Sequence, residues 1–135
     1  MATDLITKLE EAGEGSRELD ALVWLHFNRP EYQGGVKALE MRTWYDGRGH
    51  LILETDAGEE VADDLSITGV TTSLDAALAL AERVLPWACV GLAQLSPGNW
   101  QAWIGGRPAF ATAYSTAPLA LCIAILRASE QERGG

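Results

Sequence analysis

The chain has little of what surface chemistry usually requires. It carries two histidines, His26 and His50, and two cysteines, Cys89 and Cys122, in 135 residues. A transition-metal site needs such ligands grouped at fixed spacing with carboxylates beside them, and no such grouping occurs. His26 reads as the polar edge of a helix and His50 as a strand-start surface residue. With no export signal in the polar, acidic Met1-Ala2-Thr3-Asp4, the two cysteines are expected to be reduced and to act as small apolar side chains. No apolar run approaches the roughly 20 residues of a membrane span. The longest, Pro118 to Leu126, suits a core or interface helix.

Positive charge is also scarce. Ten basic residues face 19 acidic ones, a net charge of −9. Non-specific binding to duplex nucleic acid requires a surface that neutralises phosphates, and this chain lacks it. An anionic membrane surface is disfavoured on the same ground. The excess is uneven: residues 1–64 hold 15 acids and 6 bases, whereas residues 65–135 hold 4 of each. An acidic face keeps a protein soluble and can dock a basic host protein.

What is present is ordinary globular composition, 47% hydrophobic and 21% charged, in one chain of single-domain size. Leu5, Ile6, Leu9 and Ala12 follow helical spacing over residues 3–12. Ser16 is placed to cap a second helix that carries Leu19, Leu22, Val23 and His26 on one face and stops before Pro30. From Val36 the period changes to two. Asp46-Gly47-Arg48-Gly49 then turns the chain into His50 to Thr55, which predicts a β-hairpin. Asp56 to Asp64 is crowded with acids and is expected to be an exposed loop, with a short strand near Leu65, Ile67 and Val70.

The clearest helix opens at Thr72, with Asp75 three residues on as in a capping box, and ends at Pro86. Trp87 to Leu95 reads as a buried strand. Ser96-Pro97-Gly98-Asn99 turns it into residues 100–104, and Gly105-Gly106 leads to a third strand at 109–114. A last helix begins near Ser115-Thr116 and is apolar nearly all round. That pattern places it in the core or at a subunit contact, which favours a homo-oligomer. The tail from Glu130 is expected to fray. The fold class is α+β: a small antiparallel sheet flanked by helices, sandwich-like, with an extra acidic hairpin over residues 30–70, in a single domain spanning 1–135.

The order of these parts carries a resemblance. Residues 5–12 (Leu-Ile-Thr-Lys-Leu-Glu-Glu-Ala) and 16–22 (Ser-Arg-Glu-Leu-Asp-Ala-Leu) come first. Residues 71–78 (Thr-Thr-Ser-Leu-Asp-Ala-Ala-Leu), 98–103 (Gly-Asn-Trp-Gln-Ala-Trp) and 116–128, with its Ala-Leu-Cys-Ile-Ala-Ile-Leu, follow. This arrangement resembles the phage ABA sandwich domain family of small bacteriophage and prophage proteins. The likeness covers about two-thirds of the chain and omits residues 30–70. It implies phage origin, a bacterial cytoplasm and an accessory role. By analogy with small phage inhibitors of host immunity, the expectation is a protein that sequesters a nucleotide-like signal; the alternatives are a protein–protein inhibitor of a host factor acting through the acidic surface and a structural or assembly accessory. No functional residue is carried over from the family.

Catalytic readings are weak. Ser73 and Ser115 sit at helix starts, where capping explains them. Glu59, Glu60, Asp63 and Asp64 fall in a stretch whose acids solvation explains. Asp46-Gly47-Arg48-Gly49 joins two strands, the wrong context for a phosphate loop. The expectation is a protein without catalysis and without a cofactor. Aromatic residues give the better lead. A planar aromatic beside an arginine suits a purine base and its phosphate. Trp44, Arg48, Trp100, Trp103 and Arg107 are the candidate ligand-binding residues, with Arg42, Tyr45 and Trp87 nearby in sequence. Trp100 and Trp103 are three apart on one strand and point to opposite faces. The competing reading gives one of them to the core and the other to covering a helix or a subunit.

Overall fold

The computed structural model describes residues 2–28, 36–43, 49–55, 60–63, 67–86, 88–105, 107–114 and 116–134. Its elements, in chain order, are α1 (Ala2–Glu11), α2 (Arg17–Asn28), β1 (Val36–Thr43), β2 (Gly49–Thr55), β3 (Glu60–Asp63), α3 (Leu74–Val84), β4 (Val90–Ser96), β5 (Asn99–Ile104), β6 (Arg107–Tyr114) and α4 (Ala117–Gly134). Both sheets are antiparallel, ordered β1-β2-β3 and β4-β5-β6. The class is α+β. By contacts the chain divides into two compact units: residues 1–16 with 69–135, and residues 17–68. The second is therefore inserted into the first, and the dividing point precedes α2 rather than residue 30.

In the first unit α4 is the central element. It contacts β4, β5 and β6, and α1 and α3 pack against it as well. Leu119 through Leu126 are fully buried without a break. Eight successive residues exceed two turns of 3.6, so every face of the helix is covered. Over residues 119–126, α4 is therefore core, one of the two readings that its all-round apolar sequence allowed. Each buried leucine or isoleucine there contributes about 2 kcal/mol. The Cys122 thiol donates to the Val70 carbonyl at 3.2 Å, which gives its one polar group a partner. Thr116 starts the helix, its hydroxyl accepting from the Leu119 N–H at 3.4 Å. The predicted fraying tail is instead helical backbone as far as Gly134.

Helix α3 begins one residue later than its sequence suggests. Ser73 is the N-cap, with extended backbone and a hydroxyl that accepts from the Ala76 N–H. Thr72 turns its hydroxyl to the Gly69 carbonyl instead. Residues 67–72, where a short strand was expected, form a bend and a turn. Ser96-Pro97-Gly98-Asn99 does turn β4 into β5. Gly98 has φ 73°, the left-handed conformation that a Pro-Gly type II turn requires at its third residue. Such a turn splays the strands it joins. The register slips at this point, because Gln94 pairs with Trp100 and Ser96 with Asn99. Leu95 is thus a β-bulge without a cross-strand partner, which explains why this large apolar side chain is 54% exposed.

The second unit has its own small core. Leu53, at the middle of the central strand β2, is fully buried with Ala62 of β3, Ala21 and Leu25 of α2, and Ile67; Trp24 and Val61 pack around them. Of the face expected on α2, Val23 and His26 are buried, while Ala21 and Leu25 take the cluster positions and Leu19 and Leu22 are half-buried. His26 is buried rather than at a polar edge, with its ring edge-on to Phe27 at 4.8 Å. The acid-rich segment is not wholly a loop, since Glu60–Asp63 pairs with β2. Val61 and Ala62 supply apolar burial there, and Glu60 stays exposed.

The two connections that bound the insertion are each closed by hydrogen bonds. In the first unit the Ser16 N–H donates to the Thr71 hydroxyl at 3.0 Å. That hydroxyl in turn donates to the Ser16 carbonyl, also at 3.0 Å. Gly15 lies against the same residue so closely that an added Cβ would stand 2.0 Å from the Thr71 carbonyl oxygen. In the second unit Arg17 pairs with the fully buried Asp20 at 2.9 Å and donates to the Ile67 carbonyl at 2.9 Å. Within each unit, residues far apart in sequence thereby meet.

Candidate functional site

Alternation along β5 decides what each tryptophan does. Ala102 and Ile104 are fully buried on the side of α4, and Trp100 shares their parity. Gln101 and Trp103 therefore face away from α4, and both are only half-buried. Trp100 is half-buried at the outer end of the strand, in register with Gln94 on one side and Tyr114 on the other. The two tryptophans occupy opposite faces, as their spacing requires.

Trp103 has an unusual bed. It is in register with Gly91 of β4. A Cβ on Gly91 would fall 2.0 Å from Cε2, 2.2 Å from Nε1 and 2.4 Å from Cζ2 of the indole. The ring therefore lies directly on the glycine, in space that any other residue would occupy. An indole resting across a strand glycine covers exposed backbone and is itself held in place. The same face carries Ala93, in register with Gln101. Gln101 stands two residues from Trp103 along the strand, about 7 Å away. Its amide supplies both donors and acceptors. A fixed aromatic surface with an amide at that distance can stack a planar ring and hydrogen-bond its edge.

Arg107 begins β6 opposite Ile104, so the register does not pair it with Trp103. Between these strands the register slips again, from Ala102 opposite Thr112 to Ile104 opposite Arg107, close to the Gly105-Gly106 turn. Gly105 has φ 56°. Trp44 and Arg48 lie outside the described residues, in the span of the second unit, as do Tyr45, Glu59 and Asp64; Trp87 and Ser115 are also outside the described residues, in the span of the first. Arg42 and His50 fall in register with each other on β1 and β2. Of the five candidate residues, the first unit thus brings Trp100, Trp103 and Arg107 onto one hairpin system. The important neighbour that the sequence reading missed is Gly91. An isolated glycine within a strand pattern was the available signal.

Cys89 and Cys122 are both free thiols, Cys89 exposed and Cys122 buried. Among the described residues no three His, Cys, Asp or Glu side chains cluster closely enough to hold a metal ion, and no helix is long and apolar enough to cross a membrane.

Fold and site together define a small α+β protein with a second small α+β unit inserted near its N-terminus, and with a tryptophan-bearing sheet face as its most distinctive surface. No protein-family model matches this chain, and no curated protein or solved structure does so. The likeness to the phage ABA sandwich domain accordingly rests on the quoted residues alone.

Proposed function

We propose that this is a non-catalytic binding protein whose ligand lies on the face of the β4-β5-β6 sheet that carries Trp103. The observation behind this reading is the indole laid on Gly91. It is held in place before any ligand arrives, so stacking costs little ordering of the protein. Stacking on a fixed aromatic is worth about 1–3 kcal/mol per base. Gln101, two residues along the same strand face, provides edge recognition. These features suit a purine nucleotide or a related cyclic signal.

Joined to the resemblance, the proposal is a phage accessory protein that acts in the host cytoplasm by sequestering a nucleotide-like defence signal. Calorimetric titration with a panel of cyclic nucleotides and adenine dinucleotides tests it. Selective binding that is lost in Trp103→Ala, with the fold retained, is the expected outcome. Equal binding by the wild type and the variant would remove the proposal.

A further inference from the structure

Beyond ligand binding, we infer that the edge of β4 that pairs with no further strand among the described residues is the contact through which two copies of this chain form a symmetric dimer. The direction of the backbone groups on that strand carries the argument. The Gly105 N–H donates to the Cys89 carbonyl at 2.6 Å, which makes Cys89 and Gly105 a hydrogen-bonded pair. In an antiparallel ladder such pairs alternate with open ones. Gly91 with Trp103 and Ala93 with Gln101 are therefore the next hydrogen-bonded pairs. Val90, Leu92 and Gln94 must then direct both their N–H and C=O groups away from β5. Because β4 is an edge strand of its sheet, these groups meet no further strand among the described residues.

This outward set is self-complementary. A second β4, antiparallel and related by a two-fold axis at Leu92, pairs Leu92 with Leu92 and Val90 with Gln94. Each becomes a hydrogen-bonded pair in which both residues exchange both bonds. One register thus satisfies every outward group, and two three-stranded sheets join as one of six strands. The same register carries the exposed, bulged Leu95 to the Cys89 end of the partner strand, where both apolar side chains lose water.

Charge favours a second copy over a charged partner. From Val84 to Gly106 the chain has no Asp, Glu, Lys or Arg, although the whole molecule carries −9. Natural edges are commonly protected by charge, most often lysine, and this one has none. Two copies of a strongly acidic protein can meet here without like charges in contact.

Gln94→Pro separates the dimer from the fold. The Gln94 side chain is exposed and its N–H points outward, so proline removes a dimer donor without removing a β4-β5 bond. Leu95→Lys is a second variant; it places a charge on the edge at a position with no partner in the monomer. Sedimentation velocity of the wild-type chain, from dilute to the highest soluble concentration, is expected to show a monomer–dimer equilibrium. Both variants are expected to sediment as monomers with wild-type circular dichroism, and their dimer dissociation constant should rise at least tenfold. A wild-type chain that stays monomeric throughout overturns the inference. So does a dimer that persists in Leu95→Lys, or in a folded Gln94→Pro.

Discussion

Replacing Gly15 with alanine should damage the first unit far more than replacing Gly13, two residues away in the same loop. A Cβ at Gly15 would meet the Thr71 carbonyl oxygen at 2.0 Å, the carbonyl carbon at 2.4 Å and the hydroxyl at 2.8 Å. Two of these are backbone atoms, which cannot swing aside as a side chain can. Overpacking of this kind costs about 1–3 kcal/mol. Relief by separation would break the reciprocal Ser16–Thr71 hydrogen bonds, each worth about 1 kcal/mol. A total near 3 kcal/mol follows, and for a chain of this length that lowers the melting temperature by about 10 °C. At Gly13 an added Cβ would meet nothing within 4 Å, and the residue is not in the left-handed region. Gly13→Ala should leave stability unchanged or raise it by about 0.5 kcal/mol through the unfolded chain. Urea unfolding of both variants, with Thr71→Val to isolate the hydroxyl's share, gives the comparison. Similar midpoints for Gly15→Ala and Gly13→Ala would refute the close packing of Gly15 on Thr71.

Other perturbations follow from the same structure. Arg17→Ala removes an ion-pair partner of the fully buried Asp20 and the donor to the Ile67 carbonyl. Because the guanidinium is about one-third exposed, the loss should be near 2 kcal/mol in urea unfolding rather than the larger cost of a fully buried pair. An unchanged midpoint would mean that this closure is not needed. Ile123→Ala, in the centre of α4, should cost about 3 kcal/mol by leaving a cavity in the core. If that loss instead varied with protein concentration, α4 would be serving a subunit contact.

Much of the fold was legible because its signals are local. The Pro97-Gly98 turn, the helical spacing of Leu74, Ala77, Ala81 and Leu85, and the period-two pattern after Val36 each depend on a few adjacent residues. What was not legible depends on partners distant in sequence. The apolar circumference of α4 allowed two readings, and only its packing against the sheet, α1 and α3 separates them. The acidic segment looked like a solvated loop because charge dominates its composition. Val61 and Ala62 nevertheless suffice to add a strand to β2. Ser16 directly precedes α2, as a cap would, but the bonds of its backbone with Thr71 depend on a residue 55 positions away. The site divides in the same way. Opposite faces for Trp100 and Trp103 follow from strand geometry alone. The pairing of Trp103 with Gly91 depends on the register of a hairpin whose bulge at Leu95 the sequence does not announce.

The fixed indole of Trp103 is proposed as a stacking surface for a nucleotide-like ligand. Thermal melting of the wild-type protein and of Trp103→Ala, each with a panel of cyclic nucleotides and adenine dinucleotides, tests it most directly. A ligand at a hundred times its dissociation constant adds about 2.7 kcal/mol to stability. A selective rise of several degrees is expected for the wild type and none for the variant. A flat panel for the wild type, or the same rise in both proteins, would contradict it.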